Sequence, residues 1–292
     1  MRVTEGMIYD RANESLNATM AAMQSATEKV STTKQLNRPS DNPADARTAV
    51  QMHDTLSEIA QYLRNIDAAT GKVNAADTAL GSVGDLLQRA NELAISGANG
   101  TLDATDRQAI AAEVSQLIES VVQDSGAKYN DEYIFSGFAV DKAPYAVTGP
   151  GQASSYQGDH GVSLARIGPA STLQVNVAGD AVFQPAIDAL TQLKNDLTNG
   201  DTVQQSTIGQ IADALQTVST ARASVGARAN RLDQSKSSQQ ALQTSNQALL
   251  SQLEDVDMSS AITELTKRQT TYQATLAVTA KVMQTSLIDY LR

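Results

Sequence analysis

The sequence predicts a mainly α protein: a long antiparallel helical rod whose N- and C-terminal helices pair, with a small β insert. Three observations lead there. Apolar residues recur at alternating steps of three and four at both ends of the chain and along two long stretches between them. Aromatics make up only 4 % of 292 residues and tryptophan is absent, which leaves little for a bulky core. The helical stretches are also arranged in mirror order about one short region of strand-like alternation. The expected division is 1–42 plus 257–292 for the terminal helices, 43–138 plus 184–256 for the rod, and 139–183 for the β-rich outer domain.

Tyr9, Leu16, Met20, Met23, Thr27 and Val30 share one helical face, with Asn13 as a polar break. The next segment, LNRPSDNPAD (36–45), ends that helix and starts another. Asn42 is placed as N-cap, Pro43 at the first helical position and Asp45 in the first turn against the positive end of the dipole. Met52, Leu56, Ile59, Leu63, Ile66, Val73, Leu80 and Leu87 then keep the rhythm to Ser96. A helix of some fifty residues would be about 75 Å long at 1.5 Å per residue. Gly97 to Thr105 reads as a turn, with Asp103 or Thr105 as the next cap. Ile110, Val114, Leu117, Ile118 and Val121 form a shorter returning helix ending near Gly126.

Between Lys128 and Phe183 the pattern changes. YIFSGF (133–138) is strand-like and closed by glycine; GPG (149–151) and GP (168–169) are turns. VSLARI (162–167) and LQVNV (173–177) alternate as half-buried strands do. Helix resumes with Ile187, Leu190, Leu193 and Leu197. A second long stretch runs from Ile208 through Leu215, Val225, Leu232 and Leu242 to Leu253, and breaks at Glu254-Asp255-Val256-Asp257.

The last helix is expected from Asp257, its N-cap, onward. Ile262, Leu265, Gln269, Tyr272, Leu276, Thr279, Met283, Ser286 and Tyr290 lie on one narrow stripe. Three of these nine are polar, so the helix needs a partner to be stable. The first helix is similarly short of apolar residues and is the simplest partner. The residues expected to carry packing are Leu16, Met20, Met23, Val30, Ile262, Leu265, Tyr272, Leu276, Met283 and Tyr290.

Charge agrees with crowding at the ends. The net charge is −10. Residues 1–40 hold Arg2, Arg11, Lys29, Lys34 and Arg38 against Glu5, Asp10, Glu14 and Glu28, a net of +1. Residues 258–292 hold Lys267, Arg268, Lys281 and Arg292 against Glu264 and Asp289, a net of +2, which leaves −13 between. The acidic balance argues against nucleic acid and anionic membrane as partners. Without cysteine there is no disulfide, no Cys nucleophile and no Cys-ligated metal. No apolar run is long enough to span a membrane, and the N-terminus lacks the pattern of a cleaved signal peptide.

Catalytic, cofactor and metal sites are not expected. His53 reads as a solvated helical residue. Asp159–His160 has no third ligand at usable spacing. Glu254, Asp255 and Asp257 lack the glycine and spacing of a calcium loop. No phosphate-binding glycine loop or GxSxG is present.

RPSDNPADA (38–46), YIFSGF (133–138), YQGDHG (156–161), SVGARANRLD (224–233) and LEDVDMSSAITELTKRQTTYQATLAVTAKV (253–282) resemble the flagellin family. The resemblance covers both ends, both long stretches and the insert junction. YIFSGF and the short insert favour a member joining hook to filament over the filament subunit itself; the chain is short for hook-associated protein 1. The resemblance implies an extracellular structural role in the bacterial flagellum, with the paired terminal helices innermost and the insert outermost. It implies export through the flagellar type III channel with a chaperone. The partners implied are hook-associated protein 1, flagellin and copies of the chain in a ring. Two other classes stay open on the residues alone: a cytoplasmic coiled-coil scaffold, and an enzyme housed in an insert small for a substrate pocket.

Overall fold

The computed structural model describes residues 5–100 and 102–290, with backbone alone for Glu5, Gly6, Ile8 and residues 282–290. It contains six helices and three small antiparallel hairpins among those residues. The chain divides into two compact units. One holds residues 1–58 and 242–292, the other residues 59–241. Helices α2 (Pro43–Gly97) and α5 (Gln205–Glu254) contribute residues to both units.

The first unit is built on α1 (Glu5–Thr32) packed against α6 (Met258–Tyr290). Thr33 ends α1 by taking a left-handed backbone, φ 58°. In the segment that follows, Asp41 Oδ2 accepts from the backbone N–H of Arg38 (2.9 Å) and of Asn37 (3.2 Å), closing a tight turn. Asn42 Oδ1 then caps α2, accepting from Ala44 N (3.2 Å) and Asp45 N (3.3 Å). At the other break, Asp257 Oδ1 caps α6 through Ser259 N at 2.9 Å. The two breaks are hydrogen-bonded to each other: Gln35 N donates to Glu254 O (2.6 Å) and Val256 N to Thr33 O (3.0 Å). Two non-helical segments thus satisfy each other's backbone groups instead of leaving them to water.

The second unit holds the apolar core. The α2 stretch from Ile66 to Ala94, α3 (Ala104–Ser125), α4 (Gly179–Thr198) and the α5 stretch from Ile211 to Leu232 share it. Ile66, Leu80, Leu87, Ile118, Leu190, Leu193, Ile211 and Leu232 are fully buried. Asp103 caps α3, accepting from Asp106 N at 2.8 Å, which selects it over Thr105.

Three hairpins join α3 to α4: β1 (Lys128–Tyr129) with β2 (Glu132–Tyr133), β3 (Val147–Gly149) with β4 (Gln152–Ala153), and β5 (Leu164–Gly168) with β6 (Ser171–Gln174). Asn130 and Asp131 both have positive φ, as a two-residue turn of the primed type requires. The strand-like stretch 133–138 is strand only at Tyr133, and its remainder is turn. Ile134 and Phe135 are buried while Phe138 stays exposed, and Phe135 packs edge-on against Phe183 of α4, ring centres 4.8 Å apart.

Candidate subunit-packing faces

Helices α1 and α6 meet along a thin seam. On α1 the covered side carries Tyr9, Ala12, Leu16, Thr19, Met23, Ala26 and Val30; on α6 it carries Ala261, Leu265, Tyr272, Thr275 and Thr279. The steps of three and four are those of a coiled-coil seam. Its most buried members are small, Ala26 and Ala261, each 8 % exposed. Small residues let the two backbones approach, but they remove little apolar surface from water.

Threonine can occupy this seam because its hydroxyl is satisfied locally. Thr275 Oγ1 donates to Thr271 O at 2.9 Å, and Thr19 Oγ1 to Ser15 O at 3.0 Å. Thr263, Thr266, Thr270 and Thr271 donate to the carbonyl four residues back in the same way.

The structure separates the sequence-derived packing residues. Leu16, Met23, Val30, Leu265 and Tyr272 are half-buried in the seam. Met20, Ile262 and Leu276 are not covered by it and stay 42 %, 52 % and 41 % exposed. The side chains of Met283 and Tyr290 lie outside the described residues. Ala12, Thr19, Ala26, Ala261 and Thr275 were missed: the alanines were passed over as small, and on the first helix Thr27, which is exposed in the structure, was placed on the face in preference to Thr19. The signal available was the heptad phase itself: Leu16, Met23 and Val30 are seven apart and set the positions between them.

A polar clasp sits where the two breaks meet. Glu254, with its side chain 11 % exposed, receives Lys34 Nζ on one oxygen at 2.6 Å and His53 Nε2 on the other at 2.8 Å. Burial alone would raise the Glu254 carboxyl. The hydrogen bonds and charges of Lys34 and His53 outweigh it and hold the carboxyl below its usual range. His53 is therefore not merely solvated, though half its side chain faces water. The neighbouring acids do other work: Ser251 Oγ donates to Asp255, and Asp257 caps α6.

In the second unit, YIFSGF and YQGDHG close on each other. Asp159 Oδ1 accepts from Phe138 N and Gly161 N, both at 2.7 Å, and these bonds lower its carboxyl pKa. Tyr156 Oη donates to the backbone oxygens of Phe135 (2.9 Å) and Asp159 (3.0 Å). Burial pushes the Tyr156 and Tyr145 phenols up. Gly137, at φ 71°, lies where a Cβ would come 2.1 Å from Asp159 Oδ1, so both backbone freedom and space demand glycine. The Asp159–His160 pair is thus a turn device: His160 Nδ1 lies 3.4 Å from an oxygen of Asp180. Among the described residues no three His, Asp or Glu side chains gather as metal ligands, and no helix is long and apolar enough to cross a membrane.

End helices paired along a thin seam, with large apolar side chains left uncovered beside it, define the class as a helix-paired structural protein. The models of the bacterial flagellin N-terminal helical region and C-terminal helical region match residues 3–139 and 208–291. The chain belongs to the flagellin family. It is 25 % identical to flagellar hook-associated protein 3 of Escherichia coli (strain K12), over 94 % of each chain. It is 27 % identical to the flagellar filament 33 kDa core protein of Treponema phagedenis, over the full length of both. Its fold matches the crystal structure of the flagellar junction protein FlgL from Legionella pneumophila with TM-score 0.55 at 14 % identity, covering 71 % of this chain and 99 % of that one.

Proposed function

We propose that this chain is a junction subunit of the bacterial flagellum, standing between hook and filament and made of copies packed through α1 and α6. The observation that carries the reading is the α1–α6 pair: it leaves Met20, Ile262 and Leu276 uncovered, in a chain that matches a hook-associated protein 3 along nearly its whole length. A helix pair burying so little gains its remaining burial from neighbouring chains. The partners are copies of the chain in a ring, hook-associated protein 1 on the hook side and flagellin on the filament side, with a chaperone during type III export. The role is structural, without catalysis. The packing residues are those of the seam together with the uncovered three, and the terminal helices form the assembling domain.

The experiment is deletion of the chain's gene, followed by electron microscopy and an assay for flagellin in the medium. Hooks without filaments, with flagellin shed, is the expected result. The full-length match to a filament core protein favours a second reading, the filament subunit itself. Bare hooks with no flagellin anywhere would establish that one, and intact filaments would overturn both.

A further inference from the structure

The chain has fourteen asparagines, and two of them, Asn99 and Asn199, are followed by glycine. Both pairs lie in the second unit, one in the turn between α2 and α3 and one in the turn between α4 and α5. The fold brings these turns to one end of the unit. Val203 N donates to Gly97 O at 3.5 Å, and Arg107 Nη1 of α3 donates to Gly200 O. Asn99, Gly100, Asn199 and Gly200 are all exposed. A Cβ added at Gly100 or Gly200 would meet nothing within 4 Å. Among the described residues, neither glycine's N–H donates to a backbone carbonyl. Each of the two asparagines therefore has an unshielded main-chain nitrogen next in the chain, with water at hand.

We propose that Asn99 and Asn199 are sites of spontaneous deamidation, with Asn99 the faster. Asparagine is thermolabile, and glycine, having no side chain, hinders ring closure least. The glycine nitrogen gives up its proton to base and attacks Cγ of the asparagine. A C–N bond forms, and the carboxamide nitrogen leaves as ammonia, taking a proton from water. The product is a five-membered succinimide, which water then opens. Breaking the bond from the glycine nitrogen to Cγ gives aspartate. Breaking its bond to the main-chain carbonyl carbon gives isoaspartate, whose backbone runs through the former side chain. Water is the one reactant consumed.

The structure sets the order of the two sites. The succinimide is nearly planar, so the glycine nitrogen must swing round to eclipse the asparagine Cβ. Asn199 closes α4 with helical backbone, φ −73° and ψ −6°, which keeps the two apart. Its N–H donates to Asn195 O at 2.9 Å, Asp201 N donates to Asp196 O at 3.1 Å, and Arg107 holds the Gly200 carbonyl as well. Ring closure at Asn199 needs this turn to open. The bonds about Asn99 are longer, Asn99 N to Ser96 O at 3.1 Å and Leu102 N to Asn99 O at 3.3 Å. Each conversion adds one negative charge, so the pair takes the net from −10 to −12. The added charge falls at an end that already carries Asp103, Asp106 and Asp201. An isoaspartate at 199 also lengthens the main chain in the turn that joins α4 to α5.

The test uses purified full-length chain, held folded in warm, mildly alkaline buffer. Samples taken over time are digested in acid, and the peptide carrying each asparagine is read by mass. Isoaspartate is counted by methyl transfer from isoaspartate methyltransferase. Conversion at Asn99 and Asn199 should run ahead of that at every other asparagine of the chain. Asn99 should lead Asn199 by about tenfold, the population cost of opening a hydrogen-bonded turn. In urea the two rates should converge. Neither site rising above the other asparagines would overturn the proposal, and so would Asn199 keeping pace with Asn99 in the folded chain. Gly100→Ala gives a second reading. Its methyl group meets open space and Gly100 does not have a left-handed backbone, so thermal unfolding should match wild type. The variant should slow Asn99 several-fold and leave Asn199 unchanged. An unchanged rate at Asn99 would mean that the glycine nitrogen is not the attacking atom, and would overturn the proposal.

Discussion

Single residues do their work here by joining distant parts of the sequence. Glu254 is the clearest case, because Lys34 and His53 lie about two hundred positions away and meet on its two oxygens. Replacing it with Gln leaves the shape but removes the charge. We expect a loss of about 1–3 kcal/mol in the first unit, of the size seen when charged hydrogen bonds are broken. The sign with pH follows from the lowered carboxyl. A depressed folded-state pKa contributes stability that is full above the unfolded value of about 4.3 and is lost as pH falls through the folded value. Denaturation of wild type and Glu254→Gln, followed from neutral pH downward, should therefore converge in acid; a constant gap would remove the linkage. Gly137→Ala should be costlier than an ordinary surface change. It combines a left-handed backbone with a clash against Asp159, and we expect more than about 1 kcal/mol lost in chemical denaturation.

At the scale of elements, the helices are secured to very different degrees. Helix α4 places Phe183, Ala186, Ile187, Leu190, Leu193 and Leu197 in the core, and Phe183→Ala should cost about 3–5 kcal/mol. Among the described side chains of helix α6 only Ala261 is buried. Hydrogen exchange on free subunits should find α6 amides exchanging orders of magnitude faster than those of α3 and α4. Equal protection would mean that the thin seam suffices without neighbours. Removing residues 258–292 should abolish incorporation into flagella and leave the second unit's helical circular dichroism intact, because its core uses no residue of α6. Normal filament attachment by the truncated chain would refute the assembly role.

For the whole molecule, the division of labour is between a unit with a large apolar core and a unit whose described residues bury little. Ile66, Leu80, Phe135, Phe183 and Leu232 all belong to residues 59–241, whereas among the described residues of the other unit the buried apolar side chains are alanines. Heating free subunits should then give one cooperative transition from the second unit, with the helices of the first melting over a broad range below it. Assembled material should show the first unit melting later, since neighbours bind its folded state alone.

Much of this was legible without coordinates. Periodicity marks a helix from Pro43 to Ser96 and another from Ile208 to Leu253, close to the observed Pro43–Gly97 and Gln205–Glu254, because a face of Leu, Ile and Val must be buried at every turn. Asn42 and Asp257 announce helix starts through chemistry local to four residues, which tertiary structure has no need to alter. YIFSGF was misread as strand along most of its length: alternation says only that Phe135 is buried, not whether a strand or a turn buries it. The inner seam needed the fold as well. Met20 and Leu276 look like Leu16 and Tyr272 in a helical projection, and their place was decided by which flank the partner helix happens to cover. The Lys34–Glu254–His53 clasp was invisible for a related reason: each residue is an ordinary charged or polar side chain locally, and only chain reversal brings the three within hydrogen-bonding distance.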